Sequence, residues 1–170
     1  GGNLGTLALA QKAAPFTLLG DAQLNILNQK AAAFYHSLGV CDLTLSYELN
    51  ARLVPQVPGG VLAYGFLPLM VFRACPGRAP SGCGDCPGHF RLTDRKGVRF
   101  QAACHHRRYT QLFNSVPLYT GCRRVKGAQF ETLYFTFETQ ERCRAVISAF
   151  RHGLPLDTPA TKGLYYRTLS

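Results

Sequence analysis

The sequence predicts an α/β protein. Strand–helix units build a parallel sheet in residues 1–72, and residues 73–170 hold a small antiparallel, cysteine-rich segment with a terminal strand–helix unit. Three observations carry this expectation. Short apolar runs alternate with helical periodicity up to residue 72. Gly, Pro, Cys, Arg and His dominate Arg73 to His89, just ahead of a hairpin signal. A period-two run from Thr132 to Phe137 then leads into a capped helical pattern.

Leu4 to Lys12 reads as a short helix opening on Gly-Asn-Leu-Gly. Phe16 to Leu19 reads as an apolar strand after Pro15, closed by Gly20-Asp21. Asp21 is an N-cap candidate for a helix whose apolar positions are Leu24, Leu27, Ala31, Phe34, Tyr35 and Leu38; Gly39 ends it. Leu43 to Ser46 is the second expected strand, and a short helix follows from Glu48 to about Val54, broken by Pro55 and Pro58. Val61 to Tyr64 is the third strand, which Leu69 to Phe72 extends or follows. Phe90 to Thr93 and Val98 to Ala102 flank the turn Asp94-Arg95-Lys96-Gly97, a hairpin with glycine in the turn. Residues 105–128 read as basic and loop-rich, with an apolar piece around Tyr109 to Phe113. Thr139 caps a helix from Gln140 to His152 that Gly153 ends, and the tail from Leu154 to Ser170 reads as irregular.

Composition narrows the class. A 46% hydrophobic fraction over 170 residues supplies a core and excludes disorder as the main state. The longest apolar run, Val61 to Phe72, is interrupted by Gly65 and Pro68 and falls short of the roughly 20 residues that span a bilayer. The stretch from Gly1 to Ala10 has no Lys or Arg ahead of its apolar residues, so no signal peptide is read and a cytoplasmic location is expected. There, seven cysteines favour metal ligands or plain core thiols over disulfides. The net charge is +10, and 14 of the 19 basic residues are Arg. This points to an anionic partner, nucleic acid first, or to a fragment separated from an acidic remainder of its chain.

The cysteine spacing carries the sharpest chemistry. Cys75, Cys83, Cys86 and Cys104 are spaced C-x7-C-x2-C-x17-C, and Cys83-Gly84-Asp85-Cys86 sits in a Gly/Pro-rich loop that can wrap an ion. Four thiolates suit a tetrahedral structural zinc or an iron–sulfur cluster of the 4Fe–4S type, and they exclude magnesium and calcium. The alternative is four reduced, unliganded thiols. Arg73, Arg78, Arg107 and Arg108 flank the set. His89, His105 and His106 are nearby ligand candidates, with exposed basic-patch positions as the plainer reading; Cys122 is an alternative fourth ligand. Cys41 and Cys143 read as core thiols.

Two further constellations are candidates. Asp21, Asn25, Asn28, Ser46 and Glu48 fall near the carboxyl ends of the expected parallel strands, where ligands bind in open α/β sheets. Asp21, Ser46 and Glu48 are therefore catalytic candidates, with helix capping as the competing reading. Arg73, Arg95, Arg107 and Arg108 are anion- or RNA-binding candidates, beside Arg91, Lys96 and Arg99. Tyr109, Phe113, Tyr119 and Tyr134 are candidate base-stacking platforms that could equally be core. The chain carries no Walker loop, dinucleotide fingerprint, G-x-S-x-G elbow or HExxH.

A run of motifs carries a family resemblance. In order they are Gly-Asn-Leu-Gly (2–5), Leu-Gly-Asp-x-x-Leu-Asn (19–25), Thr-Leu-Ser-x-Glu-Leu (44–49), Tyr-Gly-x-Leu-Pro-Leu-Met (64–70), Cys-Pro (75–76), Asp-Arg-Lys-Gly (94–97) and Asn-Ser-x-Pro-Leu (114–118). The chain thus resembles peptidase family U32, the collagenase-like proteases, from Gly2 to about His152. The resemblance implies the later part of a (β/α) barrel module, with a partial barrel in residues 1–72, and a hydrolase acting on peptide bonds. It also implies an alternative, because other members resemble RNA- and ubiquinone-hydroxylation proteins in which four cysteines hold an iron–sulfur cluster. Cys75, Cys83, Cys86 and Cys104 would be the ligands here, although the tight Cys83–Cys86 pair departs from the spacing in several relatives. A non-catalytic accessory domain is the third option. The expected partners are a missing N-terminal part of the same module, a second copy covering an open sheet edge, and a peptide or RNA; no membrane is expected.

Overall fold

The computed structural model describes residues 2–13, 16–78, 82–84 and 86–167, the side chain of Gln11 excepted. Pro15, Asp85 and the last three residues of the tail, named above, lie outside the described residues. The helices are α1 (Leu4–Lys12), α2 (Gln29–Ser37) and α3 (Gln140–His152). The strands are β1 (Leu18–Gly20), β2 (Val40–Leu43), β3 (Val61–Gly65), β4 (Pro68–Phe72), β5 (His89–Thr93), β6 (Arg99–His105), β7 (Tyr109–Phe113), β8 (Leu118–Tyr119) and β9 (Glu131–Leu133). The chain forms two compact units, residues 1–65 with 118–170, and residues 66–117. It is a mixed α/β protein with parallel and antiparallel sheets, and no sheet closes into a barrel among the described residues.

The first unit is organised by parallel pairing. β1 pairs with β2, Thr44 bridges to Gly60, and β3 pairs with β9, all parallel, while β8 pairs antiparallel with the end of β3. Leu43, Leu45, Val54, Val61 and Tyr165 are buried in this unit, and the Tyr165 hydroxyl donates to the Leu62 carbonyl at 3.2 Å. Tyr64, Tyr119 and Val146 form a second buried cluster with Phe135 and Phe150 packed against it. Both outer helices match their sequence signals. The Asn3 side chain accepts from the Thr6 amide at 2.9 Å to open α1, while Thr139 opens α3 and Gly153, at φ +66°, closes it.

Four expectations are corrected. The helix read from Leu24 begins only at Gln29, because Asn25 adopts a left-handed φ of 53° after a single 3-10 turn over Ala22–Leu24. Asp21 caps that turn, and Asn28, whose side chain accepts from the Ala31 amide at 2.9 Å, caps α2. The second strand begins at Val40 rather than Leu43, and the expected helix from Glu48 is a series of turns ending in a 3-10 turn, Val54–Gln56. Tyr109 to Phe113 is a full strand inside a stretch read as loop.

Residues 66–117 form an antiparallel sheet in the order β4-β7-β6-β5. Leu69 to Phe72 therefore follows the third strand and belongs to this sheet, because the backbone of β4 pairs with β7. The division between units falls at Gly65–Phe66 rather than at residue 72, and the terminal strand–helix belongs with the first unit through the β3–β9 pairing. Among the described residues no helix is long and apolar enough to cross a membrane.

Candidate functional site

Two turns frame the cysteine loop. In the β5–β6 turn one carboxylate oxygen of Asp94 accepts from the Lys96 amide at 2.7 Å and from the Val98 amide at 2.9 Å, and Gly97 takes φ +80°. The β6–β7 turn is made differently. His106 and Arg107 both have positive φ, 50° and 62°, a conformation that costs energy for residues with a Cβ. That turn brings the Arg107 guanidinium to the Cys83 carbonyl, to which it donates at 3.2 Å. On β6, the Cys104 amide donates to the Gly88 carbonyl at 2.7 Å, tying the strand to the loop just after Cys86.

The result is one cavity of about 930 Å3 lined by Cys75, Cys83, Cys86 and Cys104 together with Arg73 and Arg107. Arg78, His89 and His106 also reach its wall, and no carboxylate does among the described residues. Cys75, Cys83 and Cys104 are half-buried and Cys86 is exposed; all seven cysteines of the chain are free thiols. Among the described residues no three His, Cys, Asp or Glu side chains are drawn into a metal-binding geometry. The four sulfurs share a chamber without being packed into a ligand cage. A thiolate-bound group fits this donor chemistry, being soft, all sulfur and flanked by cations.

The other candidates separate clearly. Arg95, in the β5–β6 turn, and Arg108, in the β6–β7 turn, are exposed and do not line the cavity. His89 donates from Nδ1 to the Pro87 carbonyl at 3.1 Å. His105 stacks on Tyr109 with ring centroids 4.5 Å apart, and its Nε2 is buried without a hydrogen-bond partner among the described residues. Cys122 is exposed in the first unit and does not line the cavity; Cys41 is exposed and Cys143 half-buried, so Cys41 is not the core thiol expected. Phe113 and Tyr119 are buried, as core residues are, while Tyr109 and Tyr134 are exposed.

At the ends of β1 and β2 the hydroxyl of Ser46, a residue 1% exposed, donates to Asn25 Oδ1 at 2.7 Å and accepts from the Glu48 amide at 3.2 Å. Its two hydrogen bonds brace the left-handed Asn25 and the turn after β2. No histidine is among its partners. Asp21 and Glu48 do converge, on a residue that the sequence reading passed over. Burial raises the Tyr47 hydroxyl above its ordinary pKa, and the charges of Glu48 and then Asp21 raise it further. The available signal was a tyrosine between a serine and a glutamate at a strand's expected carboxyl end.

A scan against protein-family models and searches of curated proteins and of solved structures found no match to this chain.

Proposed function

We propose that residues 66–117 hold a cysteine-ligated centre, an iron–sulfur cluster of the 4Fe–4S type or, as the alternative, a structural zinc, with Cys75, Cys83, Cys86 and Cys104 as ligands. One observation carries this reading: these four cysteines, from three separate stretches of chain, line a single cavity, and the other three cysteines do not. A bound cluster would supply an electron-transfer or Lewis-acid centre, and zinc would supply a cross-link. The chain's own contribution is to deliver four thiolates, to surround them with Arg73 and Arg107, and to tie Arg107 to the loop through the Cys83 carbonyl. Eight of the 19 basic residues but two of the nine acidic ones lie in residues 66–117, which suits an anionic substrate beside the centre.

The wider reading follows the motif order. The parallel run of β1, β2, β3 and β9 is proposed as part of a (β/α) barrel sheet of the U32 type. The function we favour is an iron–sulfur protein of an RNA- or small-molecule-modifying system. The peptidase reading rests on the family resemblance. At the one serine considered for it the hydroxyl is already committed to Asn25, which favours the iron–sulfur reading.

Metal analysis and visible absorption of the anaerobically purified 170-residue chain test the proposal. Iron with acid-labile sulfide supports the cluster, and zinc supports the alternative. Retention of neither by protein expressed with both metals in excess overturns the proposal. Cys83→Ser and Cys86→Ser should lose the metal, whereas Cys41→Ser should keep it.

A further inference from the structure

A second cavity, of about 420 Å3, opens on one face of the parallel sheet of the first unit. Asp42 lies in β2 with Thr44 just after it, and Thr132 lies in β9 between Phe130 and Tyr134. These five residues line the cavity together with Leu62 of β3 and Asp21 just beyond β1. Its volume lies within the roughly 300–1,000 Å3 range of small-molecule sites. The aromatic wall is preformed. A Cβ at Gly60 would overlap the Phe130 ring, so the absence of one lets the ring lie against the strand.

The lining is one-sided in charge. It carries two carboxylates and, among the described residues, no Lys, Arg or His, in a chain of net charge +10. Asp42 is exposed on β2 and makes no ion pair among the described residues. Asp21 accepts one long hydrogen bond, 3.4 Å, from the Gln23 amide. Thr44 supplies an independent sign. It is 7% exposed and its amide donates to the Gly20 carbonyl, yet its hydroxyl has no hydrogen-bond partner among the described residues. Thr44 borders the cavity, and its hydroxyl oxygen is not among the buried unpaired atoms, so it is open to a ligand there.

We infer that this cavity binds a small organic cation, a primary ammonium or guanidinium carried on an apolar or aromatic body. The cationic head donates hydrogen bonds to the Asp42 and Asp21 carboxylates and to the Thr44 hydroxyl oxygen. The body packs against Leu62 and Phe130, where the ring face adds attraction for a cation. The two carboxylates repel anions. A hard metal ion, which takes six or more oxygens, is a poorer fit, since no group of three acidic or other ligating side chains assembles there among the described residues.

The test uses the 170-residue chain with 2-phenylethylamine as the probe and 3-phenylpropionate, a similar body with the opposite charge, as the control. Amide resonances of Asp42, Thr44 and Thr132 should shift saturably with the amine and stay unmoved by the acid. Asp42→Asn should weaken amine binding about tenfold while leaving the melting temperature unchanged, because the carboxylate has no ion-pair partner among the described residues. Thr44→Val should also weaken it without unfolding the chain. Absence of saturable shifts at millimolar amine, equal binding of the acid, or equal affinity of Asp42→Asn would each overturn the inference. None of these readouts depends on the metal content of residues 66–117.

Discussion

The guanidinium of Arg107 donates to the backbone carbonyl of Cys83 at 3.2 Å, joining a hairpin turn to a loop 24 positions earlier in the sequence. The contact depends on an unfavourable backbone, since His106 and Arg107 both sit at positive φ. Two opposed effects can therefore be separated by mutation. Arg107→Ala removes the tether and keeps the strain, whereas Arg107→Gly removes both. We expect Arg107→Gly to melt higher than Arg107→Ala by the equivalent of about 1 kcal/mol. If the proposed centre is present, both variants should surrender its metal to a chelator faster than the parent chain. Equal melting temperatures would show that the turn is unstrained, and unchanged release rates would show that the tether does not support the site.

Asn25 and Ser46 make a second test of structure against chemistry. The serine hydroxyl spends its proton on Asn25 Oδ1, which holds a left-handed residue where β1 gives way to the next turn. Ser46→Ala should destabilise the chain by about 1 kcal/mol, the usual net value of such a bond. Asn25→Gly should be tolerated better than Asn25→Ala, because glycine adopts positive φ freely. Denaturant unfolding of the three variants checks both statements. If Ser46→Ala instead abolished a peptidase activity of the chain at unchanged stability, the bracing role would be wrong.

What the sequence disclosed follows the range of the signals. Elements fixed by neighbouring residues were readable: α1 after its Gly-Asn-Leu-Gly opening, α3 between Thr139 and Gly153, and the β5–β6 turn built on Asp94 and Gly97. Partnerships decided across the chain were not. The apolar run of β4 reads like a continuation of β3, and only its hydrogen bonds to β7 move it to the other sheet. Likewise the start of α2 turned on the φ of Asn25, a residue whose side chain suits a left-handed turn as well as a helix opening. The C-x2-C spacing did identify a set of cysteines that meet at one cavity. The second cavity left no such mark, because its residues are single members of strands that alternate in face.

Gly60 offers a packing test. A Cβ there would overlap the Phe130 ring. Gly60→Ala should cost about 1–3 kcal/mol, as overpacking of a tight site does. Adding Phe130→Leu should recover part of that loss, and a double-mutant cycle on the melting data measures the coupling. Simple additivity of the two changes would mean that the ring and the glycine do not meet.

Alkaline pH should unfold this protein for a reason that lies in two tyrosines. Burial holds the Tyr64 hydroxyl well above its ordinary pKa, and its 2.8 Å hydrogen bond to Glu138 holds it higher still. Burial does the same for Tyr165, whose hydroxyl donates to the Leu62 carbonyl. The neutral form of each is thus favoured by folding. A raised pKa in the folded state contributes stability that is fully present below the unfolded value, about 10, and is lost as pH climbs from there toward the folded value. Tyrosinate absorbance should therefore rise in two phases: the accessible tyrosines titrate first, and Tyr64 and Tyr165 ionise only together with the loss of helical circular dichroism. Tyr64→Phe should shrink the second phase while lowering stability at neutral pH, since a hydrogen bond to a carboxylate is lost. Glu138 keeps its bonds from the Thr136 and Phe137 amides in that variant, so the fold survives to be measured. A single absorbance transition near pH 10 with the fold intact would show that neither hydroxyl is shielded.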